Sequence, residues 1–172
     1  MDFDKAFERL IGHEGGFQRD PHDRANWSTG KIGQGELRGT KYGISAMSYP
    51  GEDIENLTLE RAKFLYYRDF WAAAGCDLVP VPVKYALFDT AVHTSAPGKP
   101  VTAIKMLQRS VGAHDDGILG SRTAMAIANF DPYRLLARFI GERIDYTNNN
   151  REQWARYGAG WSQRFAEILK AA

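Results

Sequence analysis

Apolar residues recur at helical spacing through most of the chain, and this pattern predicts a mainly helical protein. The first helix is predicted over residues 3–14, because an aspartate precedes the apolar run and two glycines follow it. The same periodicity, with Pro, Ser, Thr or Asp at the starts, predicts further helices at about 58–71, 82–94, 100–111, 121–129, 131–148 and 161–169.

Residues 15–56 differ from the rest, because they hold eight of the 17 glycines and show little helical periodicity. We expect loops and a small irregular sheet there. One helix, a glycine-rich β region and then many helices predict a mostly helical α+β fold with a small β lobe near the N-terminus. Such an order suggests a cleft between the two lobes. Because the chain has no internal repeat or low-complexity linker, residues 1–172 are expected to form a single domain.

Composition supports a compact protein and excludes some functions. The chain has 172 residues, of which 44% are hydrophobic and 12% aromatic, which a disordered protein would lack. Its 22 basic and 21 acidic residues argue against a nucleic-acid partner, which would require a clear basic excess. The lone cysteine, Cys76, excludes an intramolecular disulfide, and without a basic neighbour in sequence it is expected to be a small buried residue.

The chain shows no signal-peptide pattern at its start and no run of roughly 18 apolar residues. We therefore expect a protein that is made in the cytoplasm and has no stable membrane association. A monomer is also expected.

Glu14 is the first candidate for chemistry. It stands in the last turn of the predicted first helix, whose C-terminal partial negative charge would favour the protonated form of a carboxyl, as a general acid requires. The alternative is a solvated glutamate beside a glycine helix stop, and position alone favours that alternative.

Three motifs follow one another in this region: EGGF at 14–17, DPHD at 20–23 and GTKYGIS at 39–45. In this order they resemble glycoside hydrolase family 108, phage lysozymes with a Glu-Gly-Gly-Tyr signature. The resemblance implies a lysozyme-like fold, a catalytic acid at Glu14, and Asp23 and Thr40 flanking the scissile bond. Asp20 competes with Asp23, although Asp20-Pro21 is typical of a turn.

Further motifs extend the resemblance over nearly the whole chain: LTLERA at 57–62, YRDFW at 67–71, FDTAV at 88–92, LQRSVG at 107–112, DGILGSRT at 116–123 and GWSQR at 160–164. It implies a catalytic region over 1–95 and a helical peptidoglycan-binding region over 96–172. The sequence departs from the family at Phe17, where tyrosine is usual, and at His93 and Ala96, where asparagine and glycine are common. The segment from Asn26 to Gly39 is also longer than in short relatives.

The same resemblance suggests substrate contacts at Tyr42, Phe88, Asp89 and His93. Alternatives stay open for several of them. Asp89 either forms a hydrogen bond across the cleft or orients Arg or Lys partners. Tyr42, like Trp27 and Tyr49, either stacks on sugar rings or packs in the interior.

Glycoside cleavage requires an acid for the leaving oxygen and a second carboxylate that activates water or stabilises the oxocarbenium-like centre. Glu14 suits the first role and Asp23 the second, and Thr40 would hold the attacking water with Asp23. Carboxyl groups about 5 Å apart retain configuration and those about 6.5–9.5 Å apart invert it. Analogy with phage lysozymes favours inversion.

The resemblance thus implies a phage-type endolysin that cleaves the bond between N-acetylmuramic acid and N-acetylglucosamine in peptidoglycan and so causes host lysis. The habit of the family suggests that a separate pore-forming protein releases it. A lytic transglycosylase and a non-catalytic peptidoglycan-binding module are the alternatives. No cofactor and no metal are expected, since His13 and His22 lack a third ligand at zinc spacing. Asp115-Asp116-Gly117 lacks the alternating acids of a calcium loop, and is either a turn or part of a wall-binding surface.

Overall fold

The computed structural model describes residues 1–12 and 16–171. Backbone contacts divide the chain into an N-terminal unit, Asp2–Arg68, and a C-terminal unit, Asp69–Ala172 with Met1. The described helices and strands are α1 (Phe3–Ile11), β1 (Thr40–Lys41), β2 (Ile44–Ser45), α2 (Leu59–Tyr66), α3 (Val81–Thr94), α4 (Val101–Ser110), α5 (Ser121–Ala128), α6 (Pro132–Asn148) and α7 (Arg151–Lys170). The predicted α+β class, mostly helical with a small sheet near the N-terminus, is confirmed.

Helix α1 begins as predicted and ends earlier. The Asp2 carboxylate accepts a hydrogen bond from the Lys5 backbone N–H at 3.0 Å, which caps the helix start. Gly12 then takes a φ of +59°, and its N–H donates to the Glu8 carbonyl at 3.0 Å. The predicted end at residue 14 is therefore wrong, because Gly12 stops the helix before Gly15-Gly16 is reached.

The glycine-rich segment forms loops around a two-stranded antiparallel sheet, as predicted. Strands β1 and β2 pair Thr40 with Ser45 and Lys41 with Ile44, leaving a two-residue turn at Tyr42-Gly43. Both turn residues have positive φ, +52° and +74°, which a tight hairpin turn requires. A Cβ on Gly43 would collide with the Tyr66 hydroxyl, so this position also lacks space for a side chain.

Helix α2 closes the N-terminal unit. The Thr58 hydroxyl accepts from the Arg61 N–H at 3.1 Å, which confirms the predicted cap. The helix continues as a π-helical segment, Tyr67–Ala72, and so reaches the predicted end at about residue 71. Rings of α1 pack on this region: Phe7 lies 5.6 Å from Tyr66, and Phe3 lies 5.1 Å from Tyr67.

In the C-terminal unit the predicted starts of α3, α4 and α6 are confirmed. Helices α3 and α4 follow Pro80 and Pro100, and the Asp131 carboxylate caps α6 by accepting from the Arg134 N–H at 2.8 Å. The predicted cap at Ser121 is wrong, because Gly120 holds the cap position of α5 and Ser121 is the first helical residue.

Helix α7 also corrects a prediction, since it begins at Arg151 rather than near residue 161. The Asn150 side chain accepts from the Gln153 N–H at 3.1 Å and so caps a new helix directly after α6. Residues 151–160 carry many polar and small side chains, which weakens the apolar pattern there.

The core of the C-terminal unit lies among α3, α4 and α6, which pack against one another. Burial of each large apolar side chain stabilises the unit by roughly 1.5–3 kcal/mol. The fully buried ones include Trp71, Leu87, Phe88, Met106, Leu107, Leu135, Phe139 and Ile140. Cys76 is buried as predicted, and this burial raises the pKa of its thiol. Among the described residues, no helix is long and apolar enough to cross a membrane.

Candidate active site

Two of the predicted catalytic residues belong to one hydrogen-bonded cluster in the N-terminal unit. We call this cluster the amide network; it consists of Gln18, Asp23, Asn26 and Thr40. Thr40 lies in strand β1, and its backbone forms two hydrogen bonds with the Gln18 backbone, at 2.8 and 2.9 Å. Its hydroxyl donates to the Asn26 side-chain oxygen at 2.7 Å.

Asp23 belongs to the network through its contact with Gln18. It precedes the short 3₁₀ helix Arg24–Asn26, and its Oδ1 accepts from the Ala25 N–H at 2.9 Å. Its Oδ2 lies 3.5 Å from Nε2 of Gln18, a long hydrogen bond. The side chain is half-buried. The structure therefore brings Asp23 and Thr40 together through shared partners, although the two are far apart in sequence.

Glu14, the predicted acid, lies outside the described residues, as do its neighbours His13 and Gly15. Its role stays a prediction from the motif order. Helix α1 ends at Ile11, so Glu14 does not lie in its last turn as predicted.

The competing carboxylate, Asp20, has a local structural role. It is exposed, and its Oδ1 accepts from the His22 backbone N–H at 2.9 Å, as an aspartate in a turn does. The prediction of turn chemistry at Asp20 is confirmed.

Tyr42 lies at the tip of the β1–β2 turn and is half-buried. Its carbonyl accepts from the Tyr66 hydroxyl at 3.2 Å, and the Lys41 ammonium lies 5.6 Å from its ring centroid. Burial raises the pKa of Tyr66 to about 12, so this hydroxyl remains a donor at neutral pH. Of the other rings considered for stacking, Tyr49 is buried, and the Trp27 indole N–H donates to the Pro21 carbonyl at 2.9 Å.

The remaining predicted contacts lie on α3 in the C-terminal unit. Phe88 is fully buried and packs edge-on against Trp71 with ring centroids 5.6 Å apart, a geometry that supports packing rather than sugar contact. Asp89 is also fully buried, and its two oxygens meet Arg143 and Arg164. Of the two alternatives for Asp89, the structure supports the pairing with arginines.

His93 lies one turn after Asp89 and joins the same group of charges. Its Nδ1 is 2.6 Å from the Asp89 carbonyl, which can only accept, so Nδ1 carries the hydrogen. Its Nε2 is 2.5 Å from Nη1 of Arg164 and is therefore the acceptor. Desolvation lowers the pKa of His93. The Asp89 carboxylate raises this pKa, whereas the positive charges of the two arginines lower it further. Part of the His93 side chain stays exposed.

Four residues that hold these side chains were not predicted from the sequence: Gln18, Asn26, Arg143 and Arg164. Gln18, Asn26 and Arg143 lie outside the motifs described above. Arg164 belongs to the GWSQR motif, which does not by itself indicate its role. In the described part of the chain, no three His, Cys, Asp or Glu side chains are grouped as a metal site would require. The Asp115-Asp116-Gly117 segment forms a turn, in which Asp116 accepts from the Ile118 N–H and from Gln108.

Comparison with known proteins adds two findings. A family model described as Glycosyl hydrolase 108 matches residues 7–94. Among solved structures, the chain is similar to Brucella abortus SagA, with 25% sequence identity and a TM-score of 0.78. That match covers 98% of this chain and 92% of the other, and it agrees with the lysozyme-like fold class expected from the motifs. A search among curated proteins found no match.

Proposed function

This chain belongs to the glycosyl hydrolase 108 family, and we propose that it hydrolyses the glycan strands of bacterial peptidoglycan. Membership of the family makes glycoside hydrolysis its reaction class. The finer proposal is cleavage between N-acetylmuramic acid and N-acetylglucosamine. Its support is the order of the EGGF, DPHD and GTKYGIS motifs, all of which fall inside the matched residues.

The structural observation that carries the proposal is the amide network. In it the half-buried carboxylate of Asp23 contacts the Gln18 amide, and the Thr40 hydroxyl donates to the Asn26 amide. These two amides are hydrogen-bonded to each other. A carboxylate and a hydroxyl fixed in this way are suited to bind one water molecule between them. The second carboxyl that glycoside cleavage requires is assigned to Glu14.

The proposed reaction is a single displacement with inversion. Glu14 gives its proton to the leaving glycosidic oxygen as the bond from that oxygen to the anomeric carbon breaks. The water held by Asp23 and Thr40 forms the new bond to the same carbon, and Asp23 takes the water's proton. Product release and proton exchange with solvent restore both carboxyl groups.

Other parts of the proposal concern binding and biological role. Residues 96–172 are proposed to bind peptidoglycan, and Tyr42 and His93 keep exposed ring surface with which they would contact sugars. We also propose that the protein acts as a phage-type endolysin in host lysis, with a separate pore-forming protein giving access to the wall.

The test is the release of soluble reducing ends from purified peptidoglycan by three variants. Glu14→Gln and Asp23→Asn keep side-chain size and remove the acid and the base, so each should lower the rate by about 100-fold or more. Asp20→Asn is the matched control, because Asp20 is an exposed carboxylate of the same loop and should stay within about threefold of the wild type. A fully active Glu14→Gln protein would exclude Glu14 as the acid.

A further inference from the structure

Asn26 is a buried amide whose hydrogen-bonding groups are all engaged. Its Nδ2 donates to Oε1 of Gln18 at 2.7 Å and to the Asp20 carbonyl at 2.9 Å. Its Oδ1 accepts from Nε2 of Gln18 at 3.1 Å and from the Thr40 hydroxyl at 2.7 Å. Two donors and two acceptor sites are the whole capacity of an amide, so Asn26 is fixed in one orientation.

The fixed amide determines the direction of the hydrogen bond to Thr40. A side-chain amide oxygen can only accept, and a hydroxyl has one hydrogen, so the Thr40 hydrogen is committed to Asn26. The Thr40 oxygen then offers only lone pairs to anything else that binds it. Any water on Thr40 must donate a hydrogen to it.

Asp23 imposes the same requirement. Its Oδ1 is occupied by the Ala25 N–H at 2.9 Å, while Oδ2 has only the long contact with Gln18 at 3.5 Å. An ionised carboxylate accepts and does not donate. A water shared by Asp23 and Thr40 would therefore direct one hydrogen to each, and its lone pairs would point away from both.

We propose that Asn26 is a positioning residue that orients the attacking water by forcing the Thr40 hydroxyl to act only as an acceptor. The inference rests on the proposed function, in which this water attacks the anomeric carbon. Asn26 touches neither substrate nor water. It acts through Thr40, and Gln18 holds its amide in the required orientation. With the Thr40 hydroxyl free to rotate, the water could also accept from it, and the lone pair needed for attack would be occupied.

The test is a double-mutant cycle on soluble, uncross-linked peptidoglycan strands, with kcat and KM measured for each variant. Thr40→Val removes the hydroxyl and keeps the shape, and it should lower kcat roughly tenfold or more with KM within about twofold. Asn26→Ala should lower kcat to a similar extent, because the Thr40 hydroxyl loses the acceptor to which its hydrogen is committed. The double variant should be no slower than Thr40→Val alone within about threefold, since both changes act on one hydrogen bond.

Gln18→Ala tests the same positioning role if Asn26→Ala does not fold. Gln18 is exposed, so its loss should leave the fold intact while freeing the Asn26 amide to rotate. We expect roughly threefold to tenfold lower kcat, again not additive with Thr40→Val. Gln34→Ala, at another exposed glutamine of the same unit, is the matched control and should keep the wild-type kcat.

Losses that multiply in the double variants, or that appear only in KM, would overturn the positioning role. Failure of the wild type to release reducing ends would instead overturn the proposed function itself.

Discussion

Asp89 and Arg143 form an ion pair in the interior of the C-terminal unit, where 0% and 3% of their side chains are exposed. The second oxygen of Asp89 accepts from Arg164 at 2.9 Å, and the Arg143 guanidinium lies 4.9 Å from the Phe165 ring centroid. One carboxylate on α3 thus connects α6 and α7. The two arginines neutralise the Asp89 charge where it is buried, and this pairing offsets the cost of removing the carboxylate from water.

We predict that Asp89→Asn destabilises the protein by about 3–5 kcal/mol, because it leaves the buried Arg143 cation without its counter-charge. Arg164→Gln is the control: it touches the same carboxylate, but 37% of its side chain is exposed, so the loss should be about 1 kcal/mol or less. Urea unfolding followed by circular dichroism gives both values. Equal losses would show that burial of Arg143 is not the source of the effect.

His93 should make the stability depend on pH. Its pKa is lowered in the folded protein, so the unfolded chain binds a proton more readily. The stability it contributes is fully present above the unfolded pKa of about 6.5 and falls as the pH drops through the lowered folded pKa.

We therefore expect the melting temperature to decline between pH 7 and 5, and His93→Gln to flatten that decline. Carboxylates with lowered pKa, such as Glu52 and Asp116, lose their contribution only below about pH 4.5, outside this window. If the melting temperatures of wild type and His93→Gln decline in parallel with pH, His93 is not the source of the pH dependence.

The hairpin turn provides a third prediction. Gly43→Ala should destabilise the protein by about 1–2 kcal/mol from its positive φ, and by more because the added Cβ meets the Tyr66 hydroxyl. Gly51→Ala should have little effect, since Gly51 has no positive φ and open space around it. Adding Tyr66→Phe to Gly43→Ala should recover only the part due to the collision. Thermal unfolding measures all three, and equal effects of the two glycine changes would contradict the turn geometry.

The sequence predicted features that depend on local chemistry. Thr58, Pro100 and Asp131 begin helices because a capping hydroxyl or carboxylate, or a fixed φ, acts within a few residues of itself. The predicted end of α1 was wrong for a similarly local reason: Gly12 lies before the Gly15-Gly16 pair, and the helix ends at this earlier glycine.

The sequence could not predict hydrogen-bond and ion-pair partners that are distant along the chain. Asp89 meets arginines 54 and 75 residues away, and many other arginines could have been chosen. Asn26 resembles any other loop amide until the fold buries it against Thr40. The order of the motifs predicted Asp23 and Thr40 as site residues, and the structure adds the amides that hold their side chains.

The most direct test of the account is mass spectrometry of the soluble fragments that the wild-type protein releases from purified peptidoglycan. Hydrolysis by a water held on Asp23 and Thr40 predicts fragments that end in reducing N-acetylmuramic acid. Fragments one water lighter, with an anhydro sugar at the end, would show a transglycosylase that needs no attacking water. That result, or no release of fragments, would contradict the account.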